Sequence, residues 1–326
     1  MRTMLGSGLR RAFGRGFSSA PKDVKDVYTV GVVGLGLMGH GIAQAAAMAG
    51  MRVIGVEREE AAVEAGRNRI EGSISRILAK QVAKGTTTQD LAEQEAHRVL
   101  GNLRYETHIE AVKDCDLVIE AIVEDMRIKV PFWKQLGALC KPEAIFASNT
   151  SSLAITAQAE ASGRPSQFVG LHFFNPVQLM RLVEVIATKH TSEETFDTAK
   201  AWAARLPDKV VVSCKDTPGF IVNRLLVPAI AQALLMVDRG DATVADIDVA
   251  MKLGAGHPMG PCLLADYVGL DTTKAILAGW VANYPDEPAF FVPKCLEDKV
   301  FKGDLGRKTG KGFYLWDGDK PLGVAD

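Results

Sequence analysis

VYTVGVVGLGLMGHGIAQAAAMAGMRVIGVE, residues 27–57, decides the fold. Its first seven residues are largely β-branched and suit a buried strand. Gly34-Leu-Gly36-Leu-Met-Gly39 follows at once, and Ile42 to Met48 then reads as a small-faced helix closed by Gly50. Met51 to Val56 reads as a second strand, with Glu57 at its end. Strand, glycine loop, helix, strand and acid in this order make up the dinucleotide fingerprint. Gly34 allows a tight turn, Gly36 lets backbone amides approach a pyrophosphate, and Gly39 lets the helix pack closely. The helix N-terminus adds partial positive charge. Gly34, Leu35, Gly36, Leu37, Met38 and Gly39 are thus the expected cofactor loop.

A carboxylate at Glu57 would accept hydrogen bonds from both ribose hydroxyls and repel a 2′-phosphate, favouring NAD over NADP; Arg58 beside it pulls the other way. Val27 to Met51 contains no charged residue and is long enough to span a bilayer. Its glycines make it a poor continuous helix, so it is read as strand, turn and helix, and no membrane span is expected.

Around this unit the chain has 326 residues, 47% of them hydrophobic, which supports a large core and two domains. Its net charge of −1 gives no reason to expect nucleic acid. Five scattered cysteines without a Cys-x-x-Cys argue against a disulfide framework or zinc ribbon, and no metal site is expected. Residues 1–22 differ from the rest: Arg2, Arg10, Arg11 and Arg15 are mixed with Ser, Gly and apolar residues, with no acid before Asp23. This is transit-peptide composition; cleavage is expected after Phe17 and the destination is the mitochondrial matrix.

Farther along, Glu59 to about Lys84 reads as a long helix with Arg69, Ser73, Arg76 and Lys80 on one face. Such a row is usually a solvated face, and it could also contact a phosphorylated ligand. With a second short helix inside Gly85–Arg98 it forms a helical excursion from the sheet. Asp116 to Val123 reads as a buried strand closed by Glu124, with Lys129 soon after, and Ala144 to Ser152 as a strand with a polar tip. Ligands of open α/β sheets bind beyond the carboxyl ends of the strands, where Glu124, Lys129, Ser148, Asn149 and Ser151 would cluster. The Ser/Thr tip could equally cap a helix starting near Leu153.

Phe168 to Phe174 is an apolar run interrupted by His172, and Leu182 to Ile186 an apolar run interrupted by Glu184. Burying either group alone would cost several kcal/mol, on the order of a lost hydrogen bond or more; buried together they can share a charge-assisted hydrogen bond. A His–Glu pair makes a general base with a fixed tautomer. A lone strand histidine is often just a satisfied core residue, so the catalytic and structural readings stand level on this evidence.

Ser148-Asn-Thr-Ser-Ser152, Gly170-Leu-His-Phe-Phe-Asn-Pro176, Leu182-Val-Glu-Val-Ile186, Asp216-Thr-Pro-Gly-Phe-Ile-Val-Asn-Arg224 and Gly260-Pro261 with Asp266-Tyr-Val-Gly-Leu-Asp271 together resemble the L-3-hydroxyacyl-CoA dehydrogenase family, mitochondrial short/medium-chain type. The resemblance runs from about Val27 to Trp316. It implies His172 as catalytic base oriented by Glu184, with Ser151 and Asn223 holding the substrate oxygen and Ser151 near the nicotinamide. It implies NAD contacts at Glu124, Lys129, Asn175 and, farther off, Lys308, and coenzyme A contacts at Ser73 and Lys80 beside Ser151. It also implies a homodimer formed through the C-terminal domain. Glu57 departs from the commoner Asp, and His257 and Cys262 stand where larger or aromatic residues are usual, which bears on the dimer or the acyl pocket.

The expected architecture is therefore an α/β Rossmann-type N-terminal domain with a helical excursion (27–213) and an all-α C-terminal domain (214–326) for substrate and dimerisation. In the latter, Phe220 to Val237 is apolar on most faces and should be buried, within the domain or against a second subunit. Asp241-Ala-Thr243 caps a helix through Leu253, Asp266–Tyr284 carries another, and a last one lies around Lys294–Lys302. The expected activity is NAD-dependent reversible oxidation of an L-3-hydroxyacyl-CoA in fatty-acid β-oxidation. The rivals are a hydroxy-acid or sugar-acid dehydrogenase of the same superfamily and a non-enzymatic NAD-binding protein.

Overall fold

The computed structural model describes residues 25–325; the expected transit segment lies outside the described residues. By its contacts the chain divides into two units, one formed up to Asn149 and by Ile155–Ser213, the other by Thr150–Ala154 and from Cys214 onward.

The first unit begins as the fingerprint requires. Strand β1 (Thr29–Val33) leads through the glycine loop into helix α1 (Gly39–Met48) and strand β2 (Arg52–Val56). Helices α2 (Glu60–Ala83) and α3 (Gln89–Gly101) form the excursion, and Thr88 caps α3 by accepting from the Leu91 amide. There follow β3 (Leu103–Glu106), β4 (Leu117–Glu120), α4 (Met126–Leu139), β5 (Ile145–Ser148), α5 (Ile155–Ala161), β6 (Phe168–Phe173), β7 (Leu182–Ala187), α6 (Glu193–Ala204) and β8 (Val210–Lys215).

These strands make one eight-stranded sheet in the order β3-β2-β1-β4-β5-β6-β7-β8. It is parallel from β3 to β6, and β7 runs antiparallel to β6. Strands buried on both faces read as continuous apolar runs, and Val30, Val32, Ile119, Val169 and Val185 are all fully buried. Each such side chain contributes about 1.5–3 kcal/mol by leaving water.

Three details differ from the sequence reading. The strand expected over Asp116–Val123 ends at Glu120, because the Glu120 carboxylate takes the Ile122 amide at 2.9 Å and turns the chain toward Asp125, which caps α4. Strand β8 and helix α6 had no distinct signal. The row on α2 is not uniformly solvated: Ser73 is buried beside Ile70 and Ile74, whereas Arg69, Arg76 and Lys80 are exposed.

The second unit is helical: α7 (Val222–Arg239), α8 (Val244–Gly254), α9 (Pro261–Val268), α10 (Leu270–Asn283) and α11 (Lys294–Lys302). A hairpin of β9 (Tyr314–Asp317) and β10 (Lys320–Val324) is added to it, so the unit is not wholly α. Its core gathers Ile230, Leu234, Ile247, Cys262, Leu277 and Leu296. Thr243 caps α8, a contact worth about 1 kcal/mol. Helix α7 buries one face through Val227, Ile230, Ala231 and Leu234; Leu225 is 71% exposed, so the expected all-round burial does not hold in the single chain.

The single helix expected from Asp266 to Tyr284 is two, broken at Gly269, whose φ of 107° suits glycine. Distant chain decides this break. Asp266 is fully buried and accepts from the Phe313 and Tyr314 amides and the Trp316 indole, each at 2.9 Å. Burial pushes its carboxyl up, and those three donors only partly offset the cost. Asp248 likewise accepts from the Cys262 and Leu263 amides and the Tyr314 hydroxyl, each at 2.8 Å, and so caps α9 from a neighbouring helix. Among the described residues no helix is long and apolar enough to cross a membrane.

Candidate active site

The three glycines of the loop owe their places to three different constraints. Gly34 has φ +93°, and a Cβ there would lie 2.5 Å from the Ala121 carbonyl oxygen. A Cβ on Gly39 would lie 1.6 Å from the Gly34 carbonyl oxygen, so helix α1 can sit this close only without one. A Cβ on Gly36 would meet nothing within 4 Å. The protein therefore does not require glycine at 36 for its own packing, whereas a ligand lying against that backbone would. Leu35 is fully buried and fills the space beside Gly55 and Gly66.

Met38 precedes helix α1 without a side-chain cap, and the His40 and Gly41 amides turn back to the Gly36 and Met38 carbonyls at 3.4 and 3.1 Å. The His40 Nδ1 lies 2.7 Å from the Gly36 carbonyl oxygen and ties the loop to the helix. Beside the loop lies a cleft of ≈ 550 Å³, lined by Gly34, Gly36, Glu57, Arg58, Ile122 and Phe132 among others. Its size and its glycine floor fit a dinucleotide. Glu57 is at the expected strand end, and its Oε1 accepts from the Leu35 amide at 2.7 Å. One of the two oxygens expected to face a ribose thus also holds the loop.

At the carboxyl end of β4 the structure brings Ser148 and Lys129, and through Lys129 also Glu124, to a residue that sequence reasoning missed. Glu120 is fully buried. Its Oε2 accepts from the Ser148 hydroxyl at 2.7 Å, and its Oε1 lies 3.1 Å from the Lys129 ammonium. Lys129, itself 1% exposed, also reaches Glu124 at 2.7 Å. Burial pushes the Glu120 carboxyl up, against the pull of Lys129, Ser148 and the Ile122 amide. Glu120 carried the same signal as Glu184, a lone carboxylate in an apolar strand, and reading the strand on to Val123 hid it.

His172 and Glu184 are both buried and are direct partners in the antiparallel β6–β7 register. The His172 Nδ1 lies 2.7 Å from Glu184 Oε2. With Nδ1–H donating to the carboxylate, Nε2 keeps its lone pair, as a proton acceptor needs. Asn149 Oδ1 accepts from the Phe173 amide at 2.9 Å, fixing the backbone next to His172. Asn175 is exposed just beyond the end of β6.

In the second unit the structure brings Ser151 and Asn223 together, with the Asn223 Nδ2 3.4 Å from the Ser151 carbonyl oxygen. Thr150 Oγ1 accepts from the Leu153 amide at 3.0 Å and closes the polar turn. Asn223 stands in the first turn of α7, just after Phe220, whose φ of 56° is unusual for a bulky residue. The Lys308 ammonium is held by the Asp271 carboxylate at 2.5 Å. Cys262 lies in the core, where burial pushes its thiol up.

Comparison with known proteins matches residues 29–217 to the family model "3-hydroxyacyl-CoA dehydrogenase, NAD binding domain" and residues 219–316 to "3-hydroxyacyl-CoA dehydrogenase, C-terminal domain". The mitochondrial hydroxyacyl-coenzyme A dehydrogenase of Rattus norvegicus is 48% identical over 288 residues, covering 88% of this chain and 90% of its own. A probable 3-hydroxybutyryl-CoA dehydrogenase of Deinococcus radiodurans is 47% identical, covering 88% of this chain and 99% of its own. The crystal structure of (S)-3-hydroxybutyryl-CoA dehydrogenase from Ralstonia eutropha superposes with a TM-score of 0.84 at 38% identity, covering 90% of this chain and all of that one.

Proposed function

The chain belongs to the 3-hydroxyacyl-CoA dehydrogenase family, and from that membership we propose how its own residues carry the reaction. It is an NAD-dependent oxidoreductase that interconverts 3-hydroxyacyl-CoA and 3-ketoacyl-CoA. The L-enantiomer is the substrate, and fatty-acid β-oxidation is the setting. The observation that carries the catalytic assignment is the buried His172–Glu184 pair in the sheet that also bears the glycine loop.

Nε2 of His172 removes the proton of the substrate hydroxyl. A bound NAD would supply the acceptor for the hydride that leaves C3. Glu184 holds Nδ1–H, fixes the tautomer and offsets the positive charge that develops on the ring. Ser151 and Asn223 hydrogen-bond the oxygen as it becomes a carbonyl. Gly34 to Gly39 would hold the pyrophosphate and Glu57 the adenosine ribose, with Glu124, Lys129, Asn175 and Lys308 as further cofactor contacts. Ser73 and Lys80 take coenzyme A, with Arg76 exposed one turn away; the exposed cations Arg76 and Lys80 on the face that carries Ser73 support this reading.

The residue ranges 27–213 and 214–326 serve as the cofactor domain and the substrate and dimerisation domain. The chain forms a homodimer through the latter, a reading supported by the exposed apolar side chains Leu225, Val249 and Leu253 on α7 and α8. Residues 1–22 direct import into the mitochondrial matrix, a reading supported by their composition and by the mitochondrial relatives. The deciding assay is NADH oxidation with 3-ketoacyl-CoAs of increasing chain length beside free acetoacetate. Turnover of the thioesters with little of the free acid is expected; preference for the free acid defeats the assignment.

A further inference from the structure

We infer that Glu120 is a positioning residue that sets the cofactor wall and the catalytic strand in register with each other. Its two carboxylate oxygens serve opposite sides. Oε1 holds the Ile122 amide at 2.9 Å and the Lys129 ammonium at 3.1 Å. Ile122 lies in the segment Ala121–Val123, which walls the cleft beside Gly34, and Lys129 in turn holds Glu124 at 2.7 Å. Oε2 holds the Ser148 hydroxyl at 2.7 Å at the end of β5.

The second arm continues through the backbone. Glu120 and Ser148 are register partners, and the Glu120 carbonyl accepts the Asn149 amide at 2.9 Å. The Asn149 side chain then fixes the Phe173 amide at 2.9 Å, one residue from His172. A route of short, mostly buried hydrogen bonds therefore runs from the cleft wall to the base, with one carboxylate at its centre. A fully buried acid at a strand end is costly unless all its acceptor positions are used, and here each oxygen is engaged.

This inference rests on the NAD-dependent reading above. The test compares three variants of the full chain by NADH titration, using fluorescence, and by kcat, at a temperature where circular dichroism shows each folded. Glu120→Asp keeps the charge but retracts it by about one C–C bond, ~1.5 Å, so both arms cannot be spanned. Its NADH affinity and its kcat should each fall about tenfold, the free-energy equivalent of one ordinary hydrogen-bonded contact. Glu120→Gln spans both arms, accepting from Ile122 and donating to the Ser148 oxygen, while Glu124 keeps Lys129 paired; both quantities should stay within about threefold.

Ser148→Ala cuts the second arm alone and should lower kcat about tenfold with NADH affinity unchanged, a split that general destabilisation would not give. Parent-like behaviour of Glu120→Asp, a Glu120→Gln variant worse than Glu120→Asp, or an unchanged kcat in Ser148→Ala each overturns the inference. A parent protein that binds no NADH defeats the NAD reading instead.

Discussion

His172 and Glu184 stand opposite each other across the β6–β7 pairing, with Nδ1 and Oε2 2.7 Å apart and both side chains buried. Since the two strands are antiparallel neighbours, the sheet itself sets the distance, and no loop movement is needed to form the pair. Replacing His172 with Ala should lower kcat at least about a hundredfold, the lower range for loss of a general base, and leave NADH affinity unchanged. Glu184→Gln should lower kcat by at least about tenfold, since a neutral amide can hold the tautomer but does not offset charge on the ring. Near-normal turnover of acetoacetyl-CoA by the His172 variant would remove it from the mechanism.

Gly36→Ala and Gly39→Ala should separate binding from folding. The added methyl at 36 meets open space, so thermal stability should change by less than about 0.5 kcal/mol, the usual size for a surface substitution. NADH affinity should nevertheless drop about tenfold or more. At 39 the methyl collides with the Gly34 carbonyl, and both stability and affinity should fall. Equal stability losses at the two positions would contradict the geometry.

On the proposed reading, the Glu57 carboxylate selects between NAD and NADP. Glu57→Gln keeps the hydrogen bond to the Leu35 amide and removes the charge that repels a 2′-phosphate. The ratio of kcat/KM for NADP to that for NAD should rise about tenfold, equivalent to ~1.4 kcal/mol. An unchanged ratio would show that Glu57 does not discriminate.

Asp116 contributes to acid stability. Burial alone would raise its carboxyl, but Lys141 at 2.5 Å and the amides of Thr29 and Tyr28 outweigh burial and hold it below the usual carboxylate range. A carboxyl lowered by folding stabilises above its unfolded value of about 4, and that stabilisation is lost as pH falls through the lower folded value. Urea midpoints between pH 7 and pH 3 should therefore drop more steeply for the parent than for Asp116→Asn. Parallel slopes would exclude this contribution.

The legible parts of the sequence were those with local causes. Gly34 and Gly39 answer contacts within a few residues or across one strand, and Gly36 borders open space, so two of the three glycines in the pattern Gly34-x-Gly36-x-x-Gly39 carry their own reason. His172 and Glu184 were visible as solitary polar residues in apolar strands. What stayed hidden depends on distant partners. The break at Gly269 follows from chain some forty residues on, which claims Asp266 through Phe313, Tyr314 and Trp316. Glu120 ends its strand because its own side chain captures the Ile122 amide, an event that hydropathy does not register. The Lys308–Asp271 pair joins residues far apart in sequence with no pattern linking them.

The assignment of Thr150–Ala154 to the second unit means that the chain passes between units three times, at Asn149–Thr150, Ala154–Ile155 and Ser213–Cys214. A gene cut at any single point cannot separate the two bodies intact: a fragment ending at Ser213 would carry away five residues whose contacts belong elsewhere. Recombination that traded one half for a foreign counterpart would have to bring the Ser151 pentapeptide along from within the other half.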